Sequence, residues 1–154
     1  MISRRRALMA AQGGDAGPNY IVPSNSAGRG TSVATFTEGN IVHVSTFNKG
    51  VDNDIRGYFA RPISIKTGDV VNIKTTRKTG TFSGTVTTYA YLGTFNLTSS
   101  GSISWSTTVA VNVTATADAN YTAEYVRFRN GSTARTGNND GNLIEIFING
   151  EQVI

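Results

Sequence analysis

Pro62 to Lys74 reads PISIKTGDVVNIK. Ile63 and Ile65, then Val71 and Ile73, recur at alternate positions, with the polar residues Ser64, Lys66, Asn72 and Lys74 beside them. Successive side chains of a strand point to opposite faces, so each run presents one apolar and one wet face. Thr67-Gly68-Asp69 separates the runs with the residues that a tight reversal requires. Two short strands of an antiparallel, half-buried sheet are the expectation.

The pattern continues in both directions. Strands are expected at Ser32 to Thr37, Ile41 to Phe47, Gly57 to Ala60, Ile63 to Ile65, Val70 to Thr76 and Thr85 to Phe95. Further strands are expected at Ser102 to Ser106, Val109 to Thr116, Ala123 to Asn130 and Leu143 to Asn149. Val109, Val111 and Val113, Val126 with Phe128, and Ile144, Ile146 and Ile148 join the expected core, while Asn112, Glu124, Arg127 and Glu145 face water. Turn residues stand at Ser99-Ser100-Gly101, Asn130-Gly131 and Asn149-Gly150. Three longer loops are expected, Asn48 to Arg56, Arg77 to Gly84 and Gly131 to Asn142, and binding residues concentrate on such loops.

Composition agrees with this reading. The 154 residues include 17 Gly and 3 Pro, with Thr, Ser and Asn prominent, a bias towards strands and turns. A chain of this length forms one domain and buries roughly two-thirds of its unfolded surface. A hydrophobic fraction of 38% with no apolar run near about 18 residues indicates a soluble β protein rather than a membrane protein. Without cysteine, neither disulfides nor thiolate ligands are available, so burial or partner subunits must supply stability.

The net charge of +4 owes three units to Arg4, Arg5 and Arg6. The division expected is a basic arm and tether, residues 1–30, before a sandwich domain, residues 31–154. SRRRAL resembles a twin-arginine export core, but the apolar stretch Ala7 to Ala11 ends at Gln12, short of the minimum of about seven residues. Ser3 can instead cap a short helix ending at Gly13, of a length that is marginal alone and ordered when docked. Arg4, Arg5, Arg6, Leu8 and Met9 are the residues expected to meet that partner. GGDAGPNYIVPSNSAGRG reads as a tether carrying an extended apolar staple, Tyr20 to Val22.

Candidate binding residues are few. With Val126 and Phe128 inside, Tyr125, Arg127 and Arg129 form an outward stripe of the residue types found in contact hot spots, or a solvated face. Tyr89 and Tyr91 share a face opposite Ala90 and Leu92, where they line a groove or stabilise a cross-strand cluster. Trp105 alternates with Ile103, either as core filler or as a sugar-stacking platform. Asp52, Asn53 and Asp54, and Asn138, Asn139 and Asp140, carry oxygen ligands but match no EF-hand loop, so turn roles are expected and no metal or cofactor.

His43 is the lone histidine and lies within a strand, and no Gly-x-Ser-x-Gly or HExxH motif occurs. Glu124 and Glu145 are carboxylates a glycosidase could use in principle, but nothing in the sequence sets their separation. Enzyme activity is not expected. Nucleic acid is not an expected partner either, because no basic stripe with interleaved aromatics runs along one segment.

PISIKTGDVVNIK, then TTYAYLGTFN at Thr87 to Asn96, AEYVRFRNG at Ala123 to Gly131 and LIEIFINGE at Leu143 to Glu151, resembles a phage or prophage virion module, on a jelly roll similar to carbohydrate-binding modules. SRRRALMAAQ is similar to the start of small phage structural proteins. The resemblance implies a non-enzymatic tail or capsid accessory subunit in the virion, a homo-oligomer held to other virion proteins by its arm. A surface glycan is the alternative partner, although a single Trp departs from the carbohydrate-binding pattern.

Overall fold

The computed structural model describes residues 17–82, 85–98, 103–106, 111–132 and 134–154. It is all-β. The strands are β1 (Val33–Thr37), β2 (Ile41–Phe47), β3 (Asp54–Ile65), β4 (Val70–Phe82), β5 (Thr85–Leu92) and β6 (Phe95–Asn96), followed by β7 (Ile103–Ser106), β8 (Asn112–Thr116), β9 (Tyr121–Asn130), β10 (Arg135–Ile148) and β11 (Glu151–Gln152). Among the described residues no helix is long and apolar enough to cross a membrane. The expected helix after Ser3, with Arg4, Arg5, Arg6, Leu8 and Met9, lies outside the described residues.

Two antiparallel sheets result. One runs β1-β2-β10-β4-β8, with β11 on β10; the other runs β3-β9-β5-β6, with β7 also on β5. The pairings nest: β2 with β10, β3 with β9, β4 with β8 and β5 with β7, as in one long ribbon rolled on itself. Val42, Val44, Val71, Ile73, Ile144 and Ile146 from the first sheet meet Ile55, Ile63, Ile65, Leu92, Val126 and Phe128 from the second in one buried cluster. Each such side chain contributes roughly 1.5–3 kcal/mol when removed from water.

The alternation in PISIKTGDVVNIK places Ile63, Ile65, Val71 and Ile73 inside, yet the two runs do not pair with each other. Gly68, at φ 90°, turns the chain from β3 in one sheet to β4 in the other. The turn is pinned by Lys66 N donating to Asp69 Oδ2 at 2.8 Å and Gly68 N to Ala117 O at 2.8 Å. Asn149 and Gly150, both at positive φ, make the two-residue hairpin between β10 and β11.

Three expectations need correction. The runs Gly57 to Ala60 and Ile63 to Ile65 are one strand, β3, with its register shifting between Tyr58 and Ile63. The run Thr85 to Phe95 is broken at Gly93, whose Cβ would stand 3.0 Å from Ala123 Cα. Most of the expected loops Arg77 to Gly84 and Gly131 to Asn142 is strand, because β4 and β10 continue against each other through Gly137↔Phe82, Asn138↔Thr81 and Gly141↔Thr79. Mutual hydrogen bonding overrides the turn propensity of Gly and Asn, and the irregularity survives as register shifts on either side of Gly141.

The tether is corrected as well. From Asn19 it lies between the edges of β1 and β3 and bonds to both. Ser24 and Phe36 exchange N–H to O bonds at 3.0 and 2.9 Å, and Ala27 N donates to Ala34 O at 2.6 Å. On the other side Val22 N donates to Tyr58 O at 2.8 Å, Ala60 N to Tyr20 O at 2.9 Å, and Arg29 N to Asp54 O at 2.7 Å. Ile21 is buried in the core, while Tyr20 and Val22 remain exposed. This strap satisfies backbone groups that two edge strands would otherwise present to other chains. Gly57 gives it room, because a Cβ there would stand 2.6 Å from Phe36 and 2.9 Å from Ile21.

Candidate functional site

The second sheet carries an arginine and tyrosine ladder on its outer face. Val126 and Phe128 are fully buried, so Tyr125, Arg127 and Arg129 of β9 point outward. Across the sheet Tyr91 pairs with Arg127 and Tyr89 with Arg129, while Arg56 pairs with Arg127 and Tyr58 with Tyr125 on the other side. Cross-strand neighbours on one face stand close enough for their side chains to meet. The Arg127 guanidinium lies 4.9 Å from the centre of the Tyr91 ring, Arg129 lies 4.6 Å from Tyr89, and Arg56 lies 5.0 Å from Tyr125. Tyr58 meets Tyr125 edge-on at 5.5 Å. Each such cation–π contact contributes roughly 0.5–1 kcal/mol in exposed settings.

Asp54 fastens the ladder from beneath. Its side chain is 1% exposed, and Oδ2 accepts from Arg56 Nε at 3.2 Å and Nη2 at 3.0 Å. Arg127 Nε stands 2.6 Å from the same oxygen, off its N–H direction, so that contact is an ion pair rather than a hydrogen bond. Burial alone pushes the Arg56 pKa down, but the hydrogen bond and charge of Asp54 outweigh it and raise the pKa overall. Arg127 Nη2 also donates to Val51 O at 3.2 Å, which draws the Asn48 to Asn53 loop over this end of the face. Among the described residues Arg129 has no carboxylate partner.

The Tyr89 ring has a fixed seat. A Cβ on Gly131 would stand 2.5 Å from its Cε2, so only glycine lets the ring lie there. Asn130, buried beside it, donates to Phe47 O at 2.8 Å and accepts from Ser132 N and Oγ at 3.0 Å. Asn130-Gly131 thus holds the end of β9 in place as well as ending the strand.

The alternation around Val126 and Phe128 identifies Tyr125, Arg127 and Arg129, and that around Ala90 and Leu92 identifies Tyr89 and Tyr91. Tyr89 and Tyr91 meet arginines rather than each other. Asp54 was expected in a turn but opens β3 in an ion pair, and Arg56 and Tyr58 were not singled out, since Asp54 and Arg56 fall within the expected loop Asn48 to Arg56. The signal available was Gly57-Tyr58 continued backward in steps of two to Arg56 and Asp54.

Other candidates are dispersed. Trp105 stands on β7 opposite Val86, and its side chain lies outside the described residues. Asn53 spends its amide on Thr31 N at 2.7 Å, Thr31 Oγ1 at 3.1 Å and Lys49 O at 3.0 Å, which makes it a loop brace. Asn138 to Asp140 lie in β10 rather than a loop. Among the described residues no group of three or more His, Cys, Asp or Glu is placed to hold a metal. Glu124 on β9 and Glu145 on β10 belong to different sheets and face outward on opposite sides, so they cannot flank one glycosidic bond. His43 lies on β2 between the buried Val42 and Val44, facing away from the core.

An open depression of about 450 Å³ lies on the first sheet among Val70, Asn72, Lys74, Asn112, Phe147 and Gly150. The Asn72 amide is already committed there to Asn112 Oδ1 at 2.9 Å, Val113 O at 3.0 Å and Thr114 Oγ1 at 2.9 Å. The ladder on the second sheet is therefore the better developed site. Comparison with known proteins finds no matching family model, no matching curated protein and no matching solved structure.

Proposed function

We propose that the chain is a non-enzymatic structural subunit of a virion, a tail or capsid accessory protein on a jelly roll, held to the particle by its basic N-terminal arm. Nested pairing of β2 with β10, β3 with β9, β4 with β8 and β5 with β7 supports the jelly roll. Viral capsid and lectin domains are among the proteins that use that architecture, so the fold narrows the choice by analogy.

The observation that carries the attachment reading is the root of the arm. An anchoring peptide transmits load only if the residues behind it are fixed in the body. Here Arg61 Nη2 donates to Gly17 O at 2.6 Å, Asn19 bonds to Arg61 O at 2.8 Å and N at 3.1 Å, and Ile21 enters the core. The basic segment Arg4 to Arg6, with Leu8 and Met9, precedes this fixed root and would cover an acidic groove on a neighbouring subunit.

A neutral-glycan platform has weaker support. Sugar rings stack on open aromatic faces, whereas guanidiniums lie over Tyr89, Tyr91 and Tyr125. The test is deletion of residues 1–14, with recovery in the particle fraction of producing cells measured by sedimentation. The full chain is expected to sediment with particles and the deletion to stay in the supernatant with an unchanged thermal midpoint. Equal recovery of both in particles would overturn the attachment reading.

A further inference from the structure

We propose that the outer face of β3, β9 and β5 is a docking surface for an extended acidic segment of a partner protein, with Arg129 receiving its carboxylate. The strap bonds to the backbone of β3, whereas docking uses side chains on the outer face, so this docking stands whether or not the arm attaches the chain to a particle.

Charge is the first argument. Three guanidiniums, Arg56, Arg127 and Arg129, outnumber the carboxylates on this side of the sheet, the contacting Asp54 and the exposed Glu124 of β9. Asp54 engages Arg56 and Arg127 and leaves Arg129 without a carboxylate among the described residues. Cations gathered on one rigid face repel one another until an anion joins them, so the ladder carries a standing preference for negative charge.

Preorganisation is the second. Arg129 is laid on the Tyr89 ring at 4.6 Å, and that ring is seated against Gly131. A guanidinium held flat has already lost much of its rotamer freedom, and it can offer paired N–H groups to a carboxylate in a fixed fork. Arg127 is held twice, by Asp54 and by Val51 O.

Composition and spacing favour protein over other polyanions. Tyrosine and arginine are the side chains enriched in protein contacts, and the rim adds apolar surface at Tyr58, 47% exposed, and Val51, 66% exposed. Arg127 and Arg129 are two residues apart on β9, about 6.6–6.8 Å along the strand. Alternate residues of an extended peptide repeat at the same distance, so acidic residues at i and i+2 can address both guanidiniums. Single-stranded nucleic acid gains affinity by stacking bases on open rings, and here the guanidiniums cover Tyr89, Tyr91 and Tyr125.

The full chain, isotope-labelled, is titrated by NMR with an eight-residue peptide alternating Asp and Thr, its Asn and Thr counterpart, a heparin fragment and an oligothymidylate. The acidic peptide is expected to shift the signals of Tyr89, Tyr91, Tyr125, Arg127 and Arg129, with a Kd that rises with salt. Arg129→Gln keeps the stem on Tyr89 and is expected to raise that Kd at least about tenfold, with the thermal midpoint retained. Shifts confined to other surfaces, no binding, or unchanged affinity of Arg129→Gln would overturn the proposal. Tighter binding of heparin or oligothymidylate at the same face would overturn the choice of a protein partner.

Discussion

Replacing Asp54 by Asn keeps the size and shape of the side chain and removes the charge that gathers the ladder. The carboxylate is 1% exposed, while the Arg56 and Arg127 side chains are 17% and 18% exposed. Removing one partner from a fully buried pair costs about 3–5 kcal/mol, since the other charge is left uncompensated. Here the guanidiniums retain some water, so the expected loss is about 2–3 kcal/mol. At roughly 2–4 °C per kcal/mol for a chain of this size, the thermal midpoint should fall by about 4–12 °C. Urea unfolding of both proteins measures the free energy directly. Adding Arg56→Met to Asp54→Asn should recover part of the loss, because it removes a stranded cation, and the cycle would then be non-additive. A single-substitution loss under about 0.5 kcal/mol, the range of ordinary surface changes, would refute the anchoring role of Asp54.

Gly57→Ala should destabilise the protein by about 1–3 kcal/mol through overpacking, since its Cβ would stand 2.6 Å from Phe36 Cε1; chemical denaturation measures this. Gly131→Ala should push the Tyr89 ring from its seat, so the ring-current shift of the Arg129 side-chain protons would disappear from the NMR spectrum. The Tyr121 phenol donates to Asp118 Oδ1 at 2.5 Å, and this bond is the main cause that raises its pKa above the usual 10.0. A raised pKa means the neutral phenol is favoured by folding, so the contribution is complete below 10.0 and is lost as pH rises through the folded-state value. Titration of the tyrosine signals should show Tyr121 ionising late, and Asp118→Asn should return it toward 10.0.

Period-two alternation was sufficient to place Ile63, Val71, Phe128 and Ile146 inside and Arg127 and Arg129 outside, because one face of each strand must be dry. It could not tell which strands pair. Ile65 and Val71 are separated by a tight turn yet belong to opposite sheets. Nor could it extend β4 and β10, since Gly137, Asn138 and Gly141 look like turn residues until their partners Phe82, Thr81 and Thr79 are known. The strap escaped for a related reason: Asn19 to Gly30 bonds alternately to β3 and β1 and has no single strand period. Of the site, the outward residues of β9 and β5 were legible. Asp54 was hidden in an Asp-Asn-Asp run whose Asn53 braces a loop and whose Asp54 opens a strand. Only the register of β3 against β9 brings it under the arginines.

Attachment of the chain, as a structural subunit, through its basic arm can be seen in a cryo-electron microscopy reconstruction of the particles that contain it. Repeated copies of the sandwich are expected, each with Arg4 to Arg6 seated in an acidic groove of a neighbouring subunit. Copies whose residues 1–14 touch no neighbour would contradict it.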